Sequence, residues 1–228
     1  MTMADSPVVF TLEGGVGVVR MDDGKANAIS HAVIDAFNAA LDQAAEAAPK
    51  ALAIVGRPGR FSAGFDLTVM SQGGDATREL VTRGAELALR IFEWPAPVVL
   101  GATGHAMAMG AVLLCTADER IGARGDFKIG LNEVAIGLAL PAFAYELARE
   151  RLARRHFHRA TTLAEIYSPD GAVEAGYLDR VVALESVART AVSRAGELGA
   201  HVHAGAHAAT KRALGASVAA KIRATLAS

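Results

Sequence analysis

The chain has 228 residues, 52 % of them hydrophobic and 21 % charged; this excludes the composition of a disordered chain and suits one core with a small appendage. Lys and Arg number 23 against 24 Asp and Glu, so no global field draws in nucleic acid or an anionic membrane. The single cysteine, Cys115, excludes an internal disulfide framework; it lies in an apolar run as a core thiol and suits a reducing cytoplasm.

Residues 1–7 carry Asp5 and no basic stretch followed by an apolar one, so no leader peptide is expected. Residues 8–12 and 16–21 are short β-rich runs around Glu13, Gly14 and Gly15, which predicts a hairpin. Ser30 is placed to cap a helix whose apolar stripe is Val33, Phe37, Leu41 and Ala44, with Pro49 closing it. Residues 51–55 are continuously apolar, as expected of a strand buried on both faces. A loop rich in Gly, Pro and Ser is expected over residues 56–66.

A helix is predicted over residues 77–94, with Leu80, Gly84, Leu87 and Ile91 on one face and Pro95 ending it. Residues 98–100 read as a second buried strand, 101–105 as a turn and 107–116 as an apolar helix. Residues 95–117 lack Asp, Glu, Lys and Arg, but their prolines and glycines favour strand, turn and helix over a membrane span. Short strands are expected at 120–123 and 126–129, and mostly helix beyond Pro141. The final helix, about residues 206–226, carries Leu214, Val218, Ile222 and Leu226 on one face. Strands alternating with helices indicate an α/β class whose terminal helices must bury that face against something else. Periodicity reveals no strict internal repeat.

Two places combine small residues with a strand-to-helix transition. One is the loop containing Ser62, Ala63 and Gly64; the other runs from Gly104 to Met109 and Gly110. Glycines allow close backbone approach, and unpaired N–H groups at a helix start face an anion. Two such loops that meet can aim two donors at one oxygen, although each also reads as an ordinary turn.

The motifs together resemble the crotonase superfamily of enoyl-CoA hydratases and isomerases. Residues 57–70, RPGRFSAGFDLTVM, are similar to its signature loop, and residues 129–137, IGLNEVAIG, to its Δ3,Δ2-enoyl-CoA isomerase branch. Residues 25–30 (KANAIS), 97–117 and 167–182 (YSPDGAVEAGYLDRVV) match in the same order, so the resemblance spans essentially the whole chain. It implies an α/β fold, a spiral of strand–strand–helix repeats over residues 1–183. Residues 184–228 would form a helical region that packs between subunits into trimers or pairs of trimers, giving Leu214, Val218 and Ile222 a partner surface. It also implies an acyl-CoA thioester as substrate, with coenzyme A part of that substrate and no separate cofactor.

By the same resemblance, the backbone N–H groups of Ala63 and Met109 hold the thioester oxygen, and Glu133 is the acid/base. Lys25, Ala26, Ala28, Ser62, Gly64, Asp66, Leu67, Gly110 and Val112 fall on substrate-contacting positions. Met109 departs from the family's usual glycine, and its side chain narrows the pocket. Hydratases of the family hold a water with two glutamates; here the first position is Val112 and only Glu133 remains. A valine neither accepts a hydrogen bond nor takes a proton, so a Δ3-to-Δ2 isomerase is the reading, catalysing in the cytoplasm. Hydration with a substitute carboxylate, Glu79 or Glu86, is the rival, and a non-catalytic acyl-CoA-binding protein is another. His201, His203 and His207 lack companion ligands, so no metal is expected. The basic run Arg149 to Arg159, interleaved with Glu150, reads as a solvated or intersubunit face rather than a nucleic-acid site.

Overall fold

The computed structural model describes residues 6–226; residues 1–5, including Asp5 of the stretch read as lacking a leader, lie outside them. The hairpin is present: β1 (Val8–Glu13) pairs antiparallel with β2 (Val16–Met21). Its turn is built on Gly14 and Gly15, both at positive φ, where L side chains are strained. After β3 (Ala28–Ile29), the Ser30 hydroxyl accepts the Val33 N–H and starts α1 (His31–Ala47). The helix buries Val33, Phe37, Leu41 and Ala44, and ends at a left-handed Ala48 before Pro49.

From there the chain repeats a pattern. A strand enters a large sheet, a second strand enters a small one, and a helix returns. The first such unit is β4 (Ala51–Val55), β5 (Gly59–Ser62), β6 (Gly64–Phe65), the short α2 (Leu67–Met70) and α3 (Gly74–Phe92). The second is β7 (Val98–Ala102), β8 (Gly104–Met107) and α4 (Met109–Leu114). The third is β9 (Glu119–Ala123), β10 (Ile129–Gly130) and α5 (Ala142–Arg151). Helices α6 (Arg154–Thr161) and α7 (Pro169–Ala175), strand β11 (Arg180–Val182), and helices α8 (Val187–His201) and α9 (Ala204–Leu226) complete the chain. The large sheet has the order β1-β2-β4-β7-β9-β11 and is parallel from β2 onward; the small one has the order β10-β8-β5, also parallel. This is the strand–strand–helix spiral that the resemblance implied.

The small sheet corrects two expectations. Residues 56–66 and 101–105 are not wholly loop and turn but contribute β5, β6 and β8. Strand β6 pairs with β3, while β5 and β8 are short and begin at Gly59 and Gly104, which pair directly; a Cβ on Gly104 would stand 2.1 Å from the Gly59 carbonyl carbon. Only bare backbones pass this closely, so glycine appears where a strand would ordinarily show a β-branched residue. Similarly, of the strand expected at 126–129 only Ile129 enters β10, which runs on to Gly130.

Burial explains the unbroken apolar runs. In β4, Leu52 and Ile54 face the main core, whereas Ala51, Ala53 and Val55 face a second core beneath α8, together with Ala191 and Ala195. Both faces of the sheet are covered, so successive side chains are all apolar. Residues beyond 183 therefore share the cores of the preceding chain. Helix α9 does likewise, and corrects the expectation for its stripe: Val218 and Ile222 are buried in the main core against α3 and α5 of the same chain. Leu214 alone of the three remains open, 74 % exposed. An ion pair seats the last strand: Arg120, 6 % exposed, makes two side-chain bonds to Asp179, at 2.8 and 2.7 Å. No helix among the described residues is long and apolar enough to cross a membrane.

Candidate active site

Strands β5 and β8 run side by side and deliver their C-terminal ends to one place. Gly64 follows β5 and Ala108 follows β8; a Cβ on Gly64 would lie 2.7 Å from the Ala108 Cβ and 3.4 Å from the Met109 nitrogen. The two loops thus meet across a glycine. Ala108 has φ 50 and ψ −122, a sparsely populated conformation for a non-glycine residue that costs about 1–3 kcal/mol. The strain lies at Ala108, while Met109 occupies the first position of α4. There its N–H has no intrahelical partner.

The first loop corrects the assignment of Ala63. Its N–H already donates to the Ala26 carbonyl at 3.0 Å. Three residues on, the Asp66 N–H donates to the Ile29 carbonyl of β3 at 3.1 Å. Ile29 pairs with Phe65 in the parallel register and accepts from the residue after it; successive N–H groups of a strand point to opposite edges, so the Phe65 N–H turns away from β3. Phe65 and Met109 both line a cavity of about 170 Å³, and Ala63 does not. The free donor of this loop is therefore Phe65.

Glu133 and Val112 line the same cavity, with Met70, Thr77, Val81, Leu138, Ala139, Pro141, Phe143 and Ala144. Glu133 precedes a single 3-10 turn, Val134–Ile136, and its carbonyl caps that turn by accepting the Ile136 and Leu138 N–H groups at 3.1 and 2.9 Å. Its side chain is left for other work: Oε2 is buried and has no hydrogen-bond partner. Burial raises the carboxyl pKa above the usual carboxylate range, and the residue's own N–H opposes the shift in part. Among the cavity-lining residues no other side chain is ionisable. Glu79 and Glu86, the substitute carboxylates, are exposed on α3 and do not line it.

The remaining candidates divide by what they touch. Ser62 is wholly buried; its hydroxyl donates to the Asn27 carbonyl at 2.8 Å and accepts the Gly64 N–H at 3.2 Å, so it braces the loop. Gly110 is a packing glycine, since a Cβ there would stand 2.6 Å from the Ser62 carbonyl oxygen. Asp66 caps α2 by accepting the Thr68 N–H at 2.8 Å, and Leu67 is 72 % exposed beside it. Lys25 is exposed, whereas Ala26 and Ala28 are half-buried. The 25–28 loop is shaped by Asp23, whose carboxylate accepts the N–H groups of Lys25, Asn27 and Ala28 at 2.7, 2.9 and 3.2 Å.

Sequence reasoning passed over Asn27. It is fully buried at φ 51, and its amide nitrogen donates to the Met21 and Phe61 carbonyls at 2.9 and 3.1 Å. It thereby ties the end of β2 to the strand leading into the first loop. Its short side chain, able to bond locally and to tolerate left-handed backbone, was the available signal.

A second cavity, of about 190 Å³, lies at α9 around Phe92, Asp118, Lys211 and Leu214. Asp118 is structural, accepting the Val98 N–H at 2.8 Å and pairing with Lys211 at 2.6 Å. That cavity shares no residue with the one around Glu133. Among the described residues no group of three or more His, Cys, Asp or Glu is placed to hold a metal ion.

A buried carboxyl of raised pKa beside two unpaired N–H groups suits proton transfer at carbon next to a carbonyl. Known proteins of similar sequence and structure identify the family. The chain resembles human mitochondrial enoyl-CoA delta isomerase 1, at 34 % identity over 60 % of the chain and 46 % of that protein. It resembles a probable enoyl-CoA hydratase of Bacillus subtilis at 32 % identity over 57 % and 50 % of the two chains. The matched stretch thus spans about half the length of these relatives. The apo structure of the Mycobacterium tuberculosis enoyl-CoA isomerase superposes with a TM-score of 0.93 at 39 % identity, covering 98 % of this chain and 97 % of that one. The sequence profile of enoyl-CoA hydratase/isomerase matches residues 11–227, and the chain belongs to that family, an enzyme of the crotonase fold.

Proposed function

We propose that this chain is an enoyl-CoA isomerase of lipid oxidation that moves a double bond from Δ3 to Δ2 in an acyl-CoA thioester. The thioester oxygen rests between the Phe65 and Met109 N–H groups. Glu133 takes a proton from C2, the dienolate's negative oxygen is held by the two donors, and the proton returns at C4 to leave the conjugated product. Removing such a donor costs about 3 kcal/mol of transition-state stabilisation. The carrying observation is that Glu133 is the one carboxyl lining the cavity, with apolar Val112 among its neighbours there. A raised carboxyl pKa suits the task, since the group must accept a proton and then release it.

Hydration needs a water both oriented and deprotonated, and one carboxyl supplies a single anchor. The exposed positions of Glu79 and Glu86 weigh against either as a substitute. The proposal also carries a cytoplasmic setting and assembly into trimers, single or paired, which light scattering tests. The reaction is tested by incubating the protein separately with 3-enoyl-CoA and 2-enoyl-CoA. The expected result is a rise in conjugated-thioester absorbance from the first and no loss from the second. Loss of absorbance from 2-enoyl-CoA would show hydration and refute the reading.

A further inference from the structure

The cavity beside Glu133 has bounds and a lining that specify an acyl group, given the acyl-thioester reading above, on which this inference rests. Its walls include Phe65, Met70, Val81, Met109, Val112 and Phe143. The polar side chains on it are Glu133 and Thr77, and the Thr77 hydroxyl is committed to the Met70 carbonyl at 3.0 Å. A terminal hydroxyl or carboxylate on the acyl chain would lose its water there without gaining a partner. The space is also small. An apolar cavity of about 150 Å³ holds one benzene molecule, so about 170 Å³ accommodates about six carbons.

One wall is formed where the two loops meet α3. The Phe65 ring lies on Gly84 of α3, 2.4 Å from where a Cβ would stand, and the Met109 Cε is 3.6 Å from that same point. Phe65 and Met109 thus fill the ground between the two loops and α3. Met109 is fully buried, so its thioether occupies volume that a glycine at that position would leave open. Its backbone N–H serves the carbonyl, while its side chain limits the tail.

We infer that the site selects straight, unsubstituted acyl chains up to about octanoyl, with about six carbons (C3 to C8) in the cavity, and that the Met109 side chain sets this limit. Truncation to alanine adds room for about two more carbons, because surrounding side chains collapse only partly into a vacated site.

The test is calorimetric binding of saturated straight-chain acyl-CoA thioesters from butanoyl to dodecanoyl, which is independent of the reaction catalysed. Each added methylene that enters the cavity should tighten binding by about fourfold. The expected profile rises to about octanoyl and then levels or falls. An octanoyl chain ending in a hydroxyl or carboxylate should bind at least about tenfold more weakly than octanoyl itself. Met109→Ala should move the break toward decanoyl. Val81→Phe, which fills the cavity from a half-buried position, should move it toward hexanoyl and keeps the inference testable if the first variant folds poorly. Affinity that climbs steadily to dodecanoyl in the native protein, or a break that neither variant moves, overturns the chain-length inference while leaving the thioester reading intact. Failure of every thioester to bind overturns both.

Discussion

The Gly64 Cα faces Ala108 so closely that an added Cβ would lie 2.7 Å from the Ala108 Cβ. Gly64 also has φ +98, where an L side chain is strained regardless of space. Gly64→Ala should therefore push the two loops apart and displace the Phe65 and Met109 donors from each other. A displacement on the order of 1 Å at such a site costs about 10²-fold in rate. The expected result is a fall of about that size in kcat with the far-ultraviolet circular dichroism preserved. Activity within twofold of the native protein would remove the two-loop site from consideration.

Glu133 yields a paired prediction, because one group governs rate and stability in opposite directions. Glu133→Gln retains shape and removes the proton acceptor, so the rate should drop by about 10² to 10⁴. For stability the sign is fixed by burial, which raises the folded-state carboxyl pKa above its unfolded value. The folded state therefore disfavours the ionised form. This destabilisation is absent below the unfolded pKa, grows through the interval between the two pKa values, and is fully present above the folded one. Glu133→Gln should raise Tm at neutral pH, and the gain should vanish below about pH 4. A variant less stable than the native protein at neutral pH would show that the carboxylate has a folded-state partner.

What the sequence made legible follows from which forces are local. The Ser30 cap, the β1–β2 turn and the two-faced burial of residues 51–55 each depend on neighbours in sequence or on a simple period, and each is present. The small sheet was not legible, because its strands pair through Gly59 and Gly104, residues that ordinarily mark loops. Within the site, Glu133 and Val112 were readable from motif register and do line one cavity. The donor of the first loop was misplaced by two residues, from Phe65 to Ala63, for a tertiary reason. Which N–H is free depends on the Ala26 carbonyl, 37 positions earlier in the chain, accepting the Ala63 one.

Asn27 offers a structural test of the loop that supplies that carbonyl. Its side-chain oxygen accepts the Asp23 N–H at 2.9 Å while its nitrogen donates to Met21 and Phe61. Asn27→Ala leaves buried backbone carbonyls unpaired, and each such group costs about 1–3 kcal/mol. A loss of at least about 2 kcal/mol in denaturant unfolding is expected, with reduced turnover because the first loop loses its anchor. A variant as stable as the native chain would show that water replaces the amide at little cost.

Helix α9 separates burial within the chain from burial between chains. Ile222 is fully buried and Val218 is 8 % exposed, whereas Leu214 is 74 % exposed on the same helix. Ile222→Ala should therefore destabilise the protein by about 2–5 kcal/mol at any protein concentration. Leu214→Ala should change stability by less than about 0.5 kcal/mol in the separated chain. A loss at Leu214 that appears at high protein concentration and fades on dilution would place that side chain in a contact between copies.

Val112 supplies the most demanding test of the one-carboxyl argument. It is 1 % exposed and lines the cavity with Glu133. A water adding to C3 of a 2-enoyl thioester must be held in line and lose a proton, which two carboxyls achieve by accepting its two hydrogens. With Glu133 alone the second hydrogen meets a methyl group, and the water has no fixed orientation. Val112→Glu provides the missing acceptor from a helix already packed into the site. Two carboxyls in one apolar cavity repel when both are ionised, and burial adds to the effect, so one of them should hold its proton to a pH above the usual carboxylate range. That state, one carboxylate and one acid, retains the acceptor and donor that hydration needs. The native protein should leave the absorbance of 2-enoyl-CoA unchanged, while the folded variant should consume it measurably and lose the ability at low pH, where both groups are protonated. Efficient hydration by the native protein would mean that a single carboxyl can orient the water, and the assignment of isomerase activity from the Val112–Glu133 pair would fall with it.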